Sequence, residues 1–214
     1  MNGWLRFVFY RVVVRFVVLV VLGLNVRHRD RLPRQGPAVI VANHNSHLDT
    51  MVLMTLLPPG AFRVAQPVAA MDYFLRNRVL AWFALRVVGI LPIRRRPEPG
   101  EGGDPLAPCH QALEAGRVLI FFPEGTRGEP ERLSGFKSGI ARLATRHPEV
   151  PIVPVFLHGL GKALPKGEAL LVPFFCDVFV GEPLYAGGDR RAFMLRLEER
   201  MKALAAGMGT APWD

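Results

Sequence analysis

Two short apolar runs, each stopping abruptly on a cluster of polar side chains, constrain this chain more than any other feature. Ala38, Val39, Ile40, Val41 and Ala42 are followed at once by Asn43, His44, Asn45, Ser46, His47, Leu48 and Asp49. Residues 118–122 run in the same way into Pro123, Glu124, Gly125, Thr126 and Arg127. A run of this length bounded by turn signals reads as a buried strand, and a rigid strand holds whatever side chains sit at its end. Chemistry is expected at these two ends.

Strand and helix patterns alternate around them. Residues 50–57 read as a short helix closed by Pro58, Pro59 and Gly60, and residues 62–70 as a strand weakened by Pro67. Tyr73, Phe74, Val79, Leu80, Trp82, Phe83 and Val87 have helical spacing, and core packing is the expected fate of that face, with membrane contact second. Residues 89–93 form a short apolar segment that runs into three arginines, and Asp104-Pro105 opens a helix that stops at Gly116, with Pro108 tolerated in its first turn. Residues 138–146 are expected to be helical, 150–157 a strand, 170–180 one or two more, and Arg190–Ala206 an amphipathic helix. This alternation predicts an α/β fold: a single domain with a mixed, largely parallel central sheet flanked by helices and active groups facing one crevice. With 214 residues, half of them hydrophobic, the chain can bury one sizeable core. The expected organisation is a membrane-associating segment over 1–35 and the main domain over 36–214.

Residues 4–24 are almost continuously apolar, broken by Arg6, Arg11 and Arg15, with no acidic side chain. Fifteen Val, Leu and Phe residues at roughly −0.3 to −0.6 kcal/mol each nearly cancel three arginines at roughly +2.5 to +3.5 each. A monotopic helix is therefore expected ahead of a single span, with the arginines snorkelling to head groups. No small-residue cleavage site follows, which argues against a signal peptide. Arg27, Arg29, Arg31 and Arg34 suit either anionic lipid on the cytoplasmic face of the cell membrane or a solvated linker.

The formal net charge of +9 calls for an anionic partner: nucleic acid, a phosphate-bearing substrate or an acidic lipid surface. The apolar N-terminus argues against nucleic acid. Two scattered cysteines, Cys109 and Cys176, exclude a disulfide framework and a Cys-rich zinc site.

His44 with Asp49 forms a candidate general base and orienting carboxylate. Ser46-x-x-Asp49 is equally a helix-capping pattern, and His47 competes with His44 for the same role. No metal site is expected, because the histidines lack zincin spacing. Ser46 lacks a nucleophile elbow and is read as a cap. Residues 122–127 have the character of an anion-binding turn, with Arg127 able to grip phosphate, and Lys137 adds a cation beside a helix start.

Four stretches in order, Asn43-His44-x-x-x-x-Asp49, Gly89-x-x-x-Ile93-x-Arg95, Phe122-Pro-Glu-Gly-Thr-Arg127 and Val150-Pro-Ile-Val-Pro154, resemble the four blocks of the glycerolipid acyltransferases. The resemblance implies acyl transfer from acyl-CoA or acyl-acyl carrier protein, as co-substrate and without a cofactor, to the free hydroxyl of a lysophospholipid such as lysophosphatidic acid. It implies that His44 is the base and Asp49 its partner. Arg95, Glu124, Gly125, Thr126 and Arg127 would help to bind the acceptor, and Lys137 is grouped with them from its position. Pro92 stands where the family commonly has an aromatic residue. Alternatives are another acceptor, such as a lyso-ornithine lipid, or a non-catalytic membrane-surface protein.

Overall fold

The computed structural model describes residues 3–20, 22–74, 77–94, 103–126, 128, 133–164, 172 and 174–207. The described strands are β1 (Gly23–Arg27), β2 (Ala38–Ala42), β3 (Ala65–Ala70), β4 (Leu91–Ile93), β5 (Val118–Phe121), β6 (Ile152–His158) and β7 (Phe175–Val180). They form one seven-stranded sheet in the order β1-β7-β6-β2-β5-β3-β4. Every neighbouring pair is parallel except β6 and β7, which gives the expected mixed, largely parallel α/β sheet.

β2 lies mid-sheet between β6 and β5, and all five of its residues are buried. Helices cover both faces, so no polar alternation is needed and the run is apolar throughout. Successive side chains nonetheless point to opposite faces. Ala38, Ile40 and Ala42 join the core under the helix Leu48–Leu56 and the N-terminal helix. Val39 and Val41 join the core under the helices Ala107–Glu114, Gly139–Arg146 and Arg190–Ala206. Pro67, which has no N–H for a ladder, is the last residue of β3 to pair with β5 before pairing passes to β4 at Val68.

The N-terminal helix comprises Gly3–Val8, a π-helical Phe9–Val14 and Arg15–Val20. Its buried stripe is Arg6, Tyr10, Val14 and Val18, a spacing of four. On an α-helix of 3.6 residues per turn that stripe would drift, and the wider π turn absorbs part of the drift. Trp4, Phe7, Val12, Val13 and Phe16 face outward. Among the described residues no helix is long and apolar enough to cross a membrane.

Three expectations need correction. Arg6 does not snorkel outward: it is 3% exposed and its Nη2 donates to the Ala65 carbonyl at 2.6 Å. The arginine-rich stretch after the helix holds β1, paired with β7 at the sheet edge. Arg29 there donates to the Leu56 carbonyl, and Arg31 pairs with Glu182 at 2.6 Å, so these two side chains are taken up within the protein. Finally, the helical spacing over 72–88 does not make one buried face. Helices Met71–Phe74 and Arg78–Phe83 are separate, Asn77 caps the second by accepting from the Val79 N–H at 2.8 Å, and Val79, Leu80 and Trp82 are exposed. Ala84, Val87 and Val88, in the π turn that follows, pack inward.

Candidate active site

β2 and β5 are adjacent and parallel, with Val41 opposite Phe121, so the chain leaves both strands at the same edge. Asn43 is the first residue beyond β2. Its Nδ2 donates to the Leu157 carbonyl at 2.8 Å and its Oδ1 accepts the Leu157 N–H at 2.7 Å, so the side chain continues the ladder to β6 while the backbone turns away. The His44 ring then stacks on Phe122, the first residue beyond β5, with centroids 4.1 Å apart.

Asp49 stands in the first turn of the helix Leu48–Leu56 and is fully buried. Its Oδ2 accepts from the N–H groups of Asn45 at 2.6 Å and Ser46 at 2.8 Å, and lies 2.9 Å from His44 Nδ1. One carboxylate oxygen therefore caps the turn and orients the imidazole. A carboxylate only accepts hydrogen bonds, so Nδ1 carries the proton and the Nε2 lone pair is the basic one. The His44 side chain is 18% exposed, enough to meet a ligand. His47 is exposed, and the histidine that reaches Asp49 is His44. Ser46 Oγ accepts the Leu48 N–H at 3.3 Å and donates to the Leu164 carbonyl at 3.0 Å, in keeping with a capping role.

Glu124 ties the two strand ends together. Its Oε1 accepts the His44 N–H at 3.3 Å, its Oε2 accepts from Ser134 Oγ at 2.6 Å, and the residue is buried. Burial raises its pKa above the ordinary carboxylate value, and the hydrogen bonds from Ser134 and the His44 N–H oppose the rise. The Gly128 N–H donates to the His44 carbonyl at 2.9 Å, a second strap across the same gap.

Gly125 has a φ of +73°, and a Cβ on it would sit 2.6 Å from Lys137 Nζ. The missing side chain lets Lys137 lie across the turn, where the Lys137 N–H also donates to the Pro123 carbonyl at 2.9 Å. Thr126 is exposed beside it. Arg95 and Arg127 lie outside the described residues. The sequence reading attached no role to Asn43, Phe122 or Ser134. Asn43 and Phe122 adjoin the strand ends and were visible there, whereas nothing local marks Ser134. Cys109 and Cys176 are buried free thiols, each pushed up to about 12 by burial, which leaves both protonated and unreactive near neutrality.

A family model described as Acyltransferase matches residues 23–158, from the start of β1 to the end of β6. The chain belongs to the acyltransferase family. This acyltransferase-family chain is 32% identical over 181 residues to a chloroplastic 1-acyl-sn-glycerol-3-phosphate acyltransferase of Arabidopsis thaliana, covering 84% of the chain and 48% of the relative. It is 34% identical over 158 residues to the chloroplastic enzyme of the same name from Brassica napus, covering 73% and 43%. It is 29% identical over 173 residues to the human 1-acyl-sn-glycerol-3-phosphate acyltransferase alpha, covering 78% and 56%. The chain thus spans about half the length of these relatives. The crystal structure of the 1-acyl-sn-glycerophosphate acyltransferase PlsC from Thermotoga maritima shares the fold, with a TM-score of 0.75 at 19% identity over 96% of this chain and 81% of that one.

Proposed function

We propose that this acyltransferase-family chain moves a fatty acyl group from acyl-CoA or acyl-acyl carrier protein to the free hydroxyl of lysophosphatidic acid, giving phosphatidic acid. The observation that carries the reading is the His44–Asp49 pair, 2.9 Å apart at a strand end with the imidazole part-exposed. That the relatives are 1-acyl-sn-glycerol-3-phosphate acyltransferases supports the acceptor.

In the proposed step His44 Nε2 takes the proton of the acceptor hydroxyl as its oxygen attacks the thioester carbonyl carbon. The tetrahedral intermediate collapses, the carbon–sulfur bond breaks, and the thiolate leaves with the proton returned by His44. No acyl-enzyme forms. Asp49 holds the tautomer and stabilises the imidazolium, and general-base catalysis of this kind is worth about 10²- to 10⁴-fold, roughly 3 to 5 kcal/mol of barrier. Lys137 and Arg127, with Arg95, are the proposed cations for the acceptor phosphate, and Gly125 and Thr126 line its approach. Glu124 acts by holding the turn against His44.

The exposed Trp4, Phe7, Val12, Val13 and Phe16, with Val79, Leu80 and Trp82, support monotopic attachment to a membrane, for which the cytoplasmic face is the proposed side. Thioester consumption by purified protein with lysophosphatidic acid tests the assignment. His44→Ala is expected to abolish most turnover in a folded protein, and Asp49→Ala to lower it sharply. Retained turnover in folded His44→Ala would sink the assignment.

A further inference from the structure

At the opposite end of the sheet from His44 lies a cavity of about 680 Å³ lined by Arg6, Phe7, Arg11, Phe62 and Arg63 among others. Its place in the fold follows from Arg6, which is held by the carbonyl of Ala65, the first residue of β3. Ala65 pairs with Val118, and Val118 with Ala38, the first residue of β2. The length of β2 alone, about 13 Å, therefore separates this cavity from the acyl-transfer site.

Three guanidinium groups converge here, and among the described residues none of them is paired with a carboxylate. Phe62 takes two of them against its ring, Arg6 at 5.2 Å and Arg11 at 5.5 Å. Arg63 is exposed on the same short helix as Phe62. Arg6 is almost wholly buried, and among the described residues its Nε has no hydrogen-bond partner. Burial disfavours its charge and pulls its pKa below the ordinary value. A buried guanidinium without a counter-charge is costly, and an anion bound from outside would relieve it. At the mouth, Phe7 and the neighbouring Trp4 are exposed, so the ligand that fits carries an apolar part beside its anionic end.

We propose that this pocket is a second anion site, separate from the His44 site, which takes the headgroup of an anionic membrane phospholipid through its phosphate, not a zwitterionic headgroup whose choline offsets that charge, and fixes the depth and tilt of the chain at the bilayer. Arginine matches phosphate with a bidentate fork, and Arg11 and Arg63 stand where they can close on it. Unlike diffuse attraction of a basic protein to an acidic surface, the site depends on particular arginines. It does not rest on the acyl-transfer reading.

The test is vesicle sedimentation of the full chain, with phosphatidylcholine alone and with added phosphatidylglycerol. Arg11→Gln with Arg63→Gln removes two accessible cations without touching the buried Arg6. Arg191→Gln with Arg200→Gln, on the helix Arg190–Ala206 that covers the other face of the sheet, removes the same charge elsewhere. The first pair is expected to weaken partition into phosphatidylglycerol vesicles about tenfold and the control pair less than twofold, with partition into phosphatidylcholine unchanged. Equal losses in the two pairs would reduce the effect to net charge and overturn the proposal. So would an unaltered partition of the first pair. Displacement from vesicles by millimolar inorganic phosphate at constant ionic strength would show a free-phosphate site and overturn the headgroup assignment.

Discussion

Asp49 Oδ2 serves His44 Nδ1 and the Ser46 N–H at once, at 2.9 and 2.8 Å, so the atom that caps a helix is the atom that orients the imidazole. Asp49→Asn separates the two roles. The amide oxygen can still accept from Asn45, Ser46 and His44, but the negative charge that would stabilise an imidazolium is gone. The variant is expected to fold, with a Tm within a few degrees of wild type, and to lose about 10²- to 10⁴-fold in kcat with little change in KM. Turnover within threefold of wild type would leave Asp49 as a cap alone.

Asn43 holds the end of β2 to β6 through both of its side-chain groups. Asn43→Ala leaves the buried N–H and C=O of Leu157 without partners, each a loss of about 1 to 3 kcal/mol. For a chain of this size 1 kcal/mol moves Tm by about 2 to 4 °C, so a fall of roughly 5 °C or more is expected by calorimetry. A Tm within a degree of wild type would show that the clamp is dispensable.

Glu124 gives a pH dependence of definite sign. Its folded-state pKa is raised, chiefly by burial, so the folded protein holds the proton to higher pH than the unfolded chain does. Its contribution is therefore fully present below the unfolded value of about 4.5 and is lost as pH rises through the raised folded value. Glu124→Gln keeps an acceptor for the His44 N–H and cannot titrate. The Tm difference, wild type minus variant, is expected to fall as pH rises from about 4.5. A difference constant across that range contradicts the raised pKa.

What the sequence made legible follows from how local each signal is. The run Ala38–Ala42 announced a central strand because burial on both faces removes polar alternation, and Asn43 to Asp49 followed within one turn. The Ser46–Asp49 ambiguity arose because capping and orienting a histidine want the same carboxylate in the same place, and one oxygen of Asp49 makes both sets of contacts. β1 was not legible: its partner β7 lies about 150 residues downstream, and arginines at a sheet edge look like a linker. The N-terminal helix is apolar nearly all round, so periodicity could not choose its inner face. Arg6 lies inward because the Ala65 carbonyl waits there, a fact no local pattern carries.

Gly125 links the conformation of its turn to the position of Lys137. At φ +73° any other residue is strained by about 1 to 2 kcal/mol, and an alanine methyl would also drive Lys137 off the turn. Gly125→Ala is expected to lower Tm by about 2 to 8 °C. If Lys137 helps to hold the acceptor phosphate, KM for lysophosphatidic acid rises while KM for the thioester stays put, and Lys137→Ala shows the same split with wild-type Tm. Equal changes in both KM values would place Lys137 outside acceptor binding.

Trp4, Phe16 and Trp82 are 76%, 62% and 53% exposed. Trp4 and Phe16 come from the N-terminal helix and Trp82 from the helix Arg78–Phe83, and Phe9 packs edge-on against Phe83 at 5.3 Å to set the two side by side. Burying an aromatic side chain of this size from water is worth about 1.5 to 3 kcal/mol. Trp4→Ser with Phe16→Ser is therefore expected to weaken partition into zwitterionic vesicles by at least 100-fold, and adding Trp82→Ser to weaken it by a further tenfold or more. The loss must appear without anionic lipid, since apolar insertion needs no charge, and that separates it from the arginine pocket. If Trp82→Ser has no effect of its own, only the N-terminal helix enters the bilayer; if none of the three does, the exposed face is not the membrane surface.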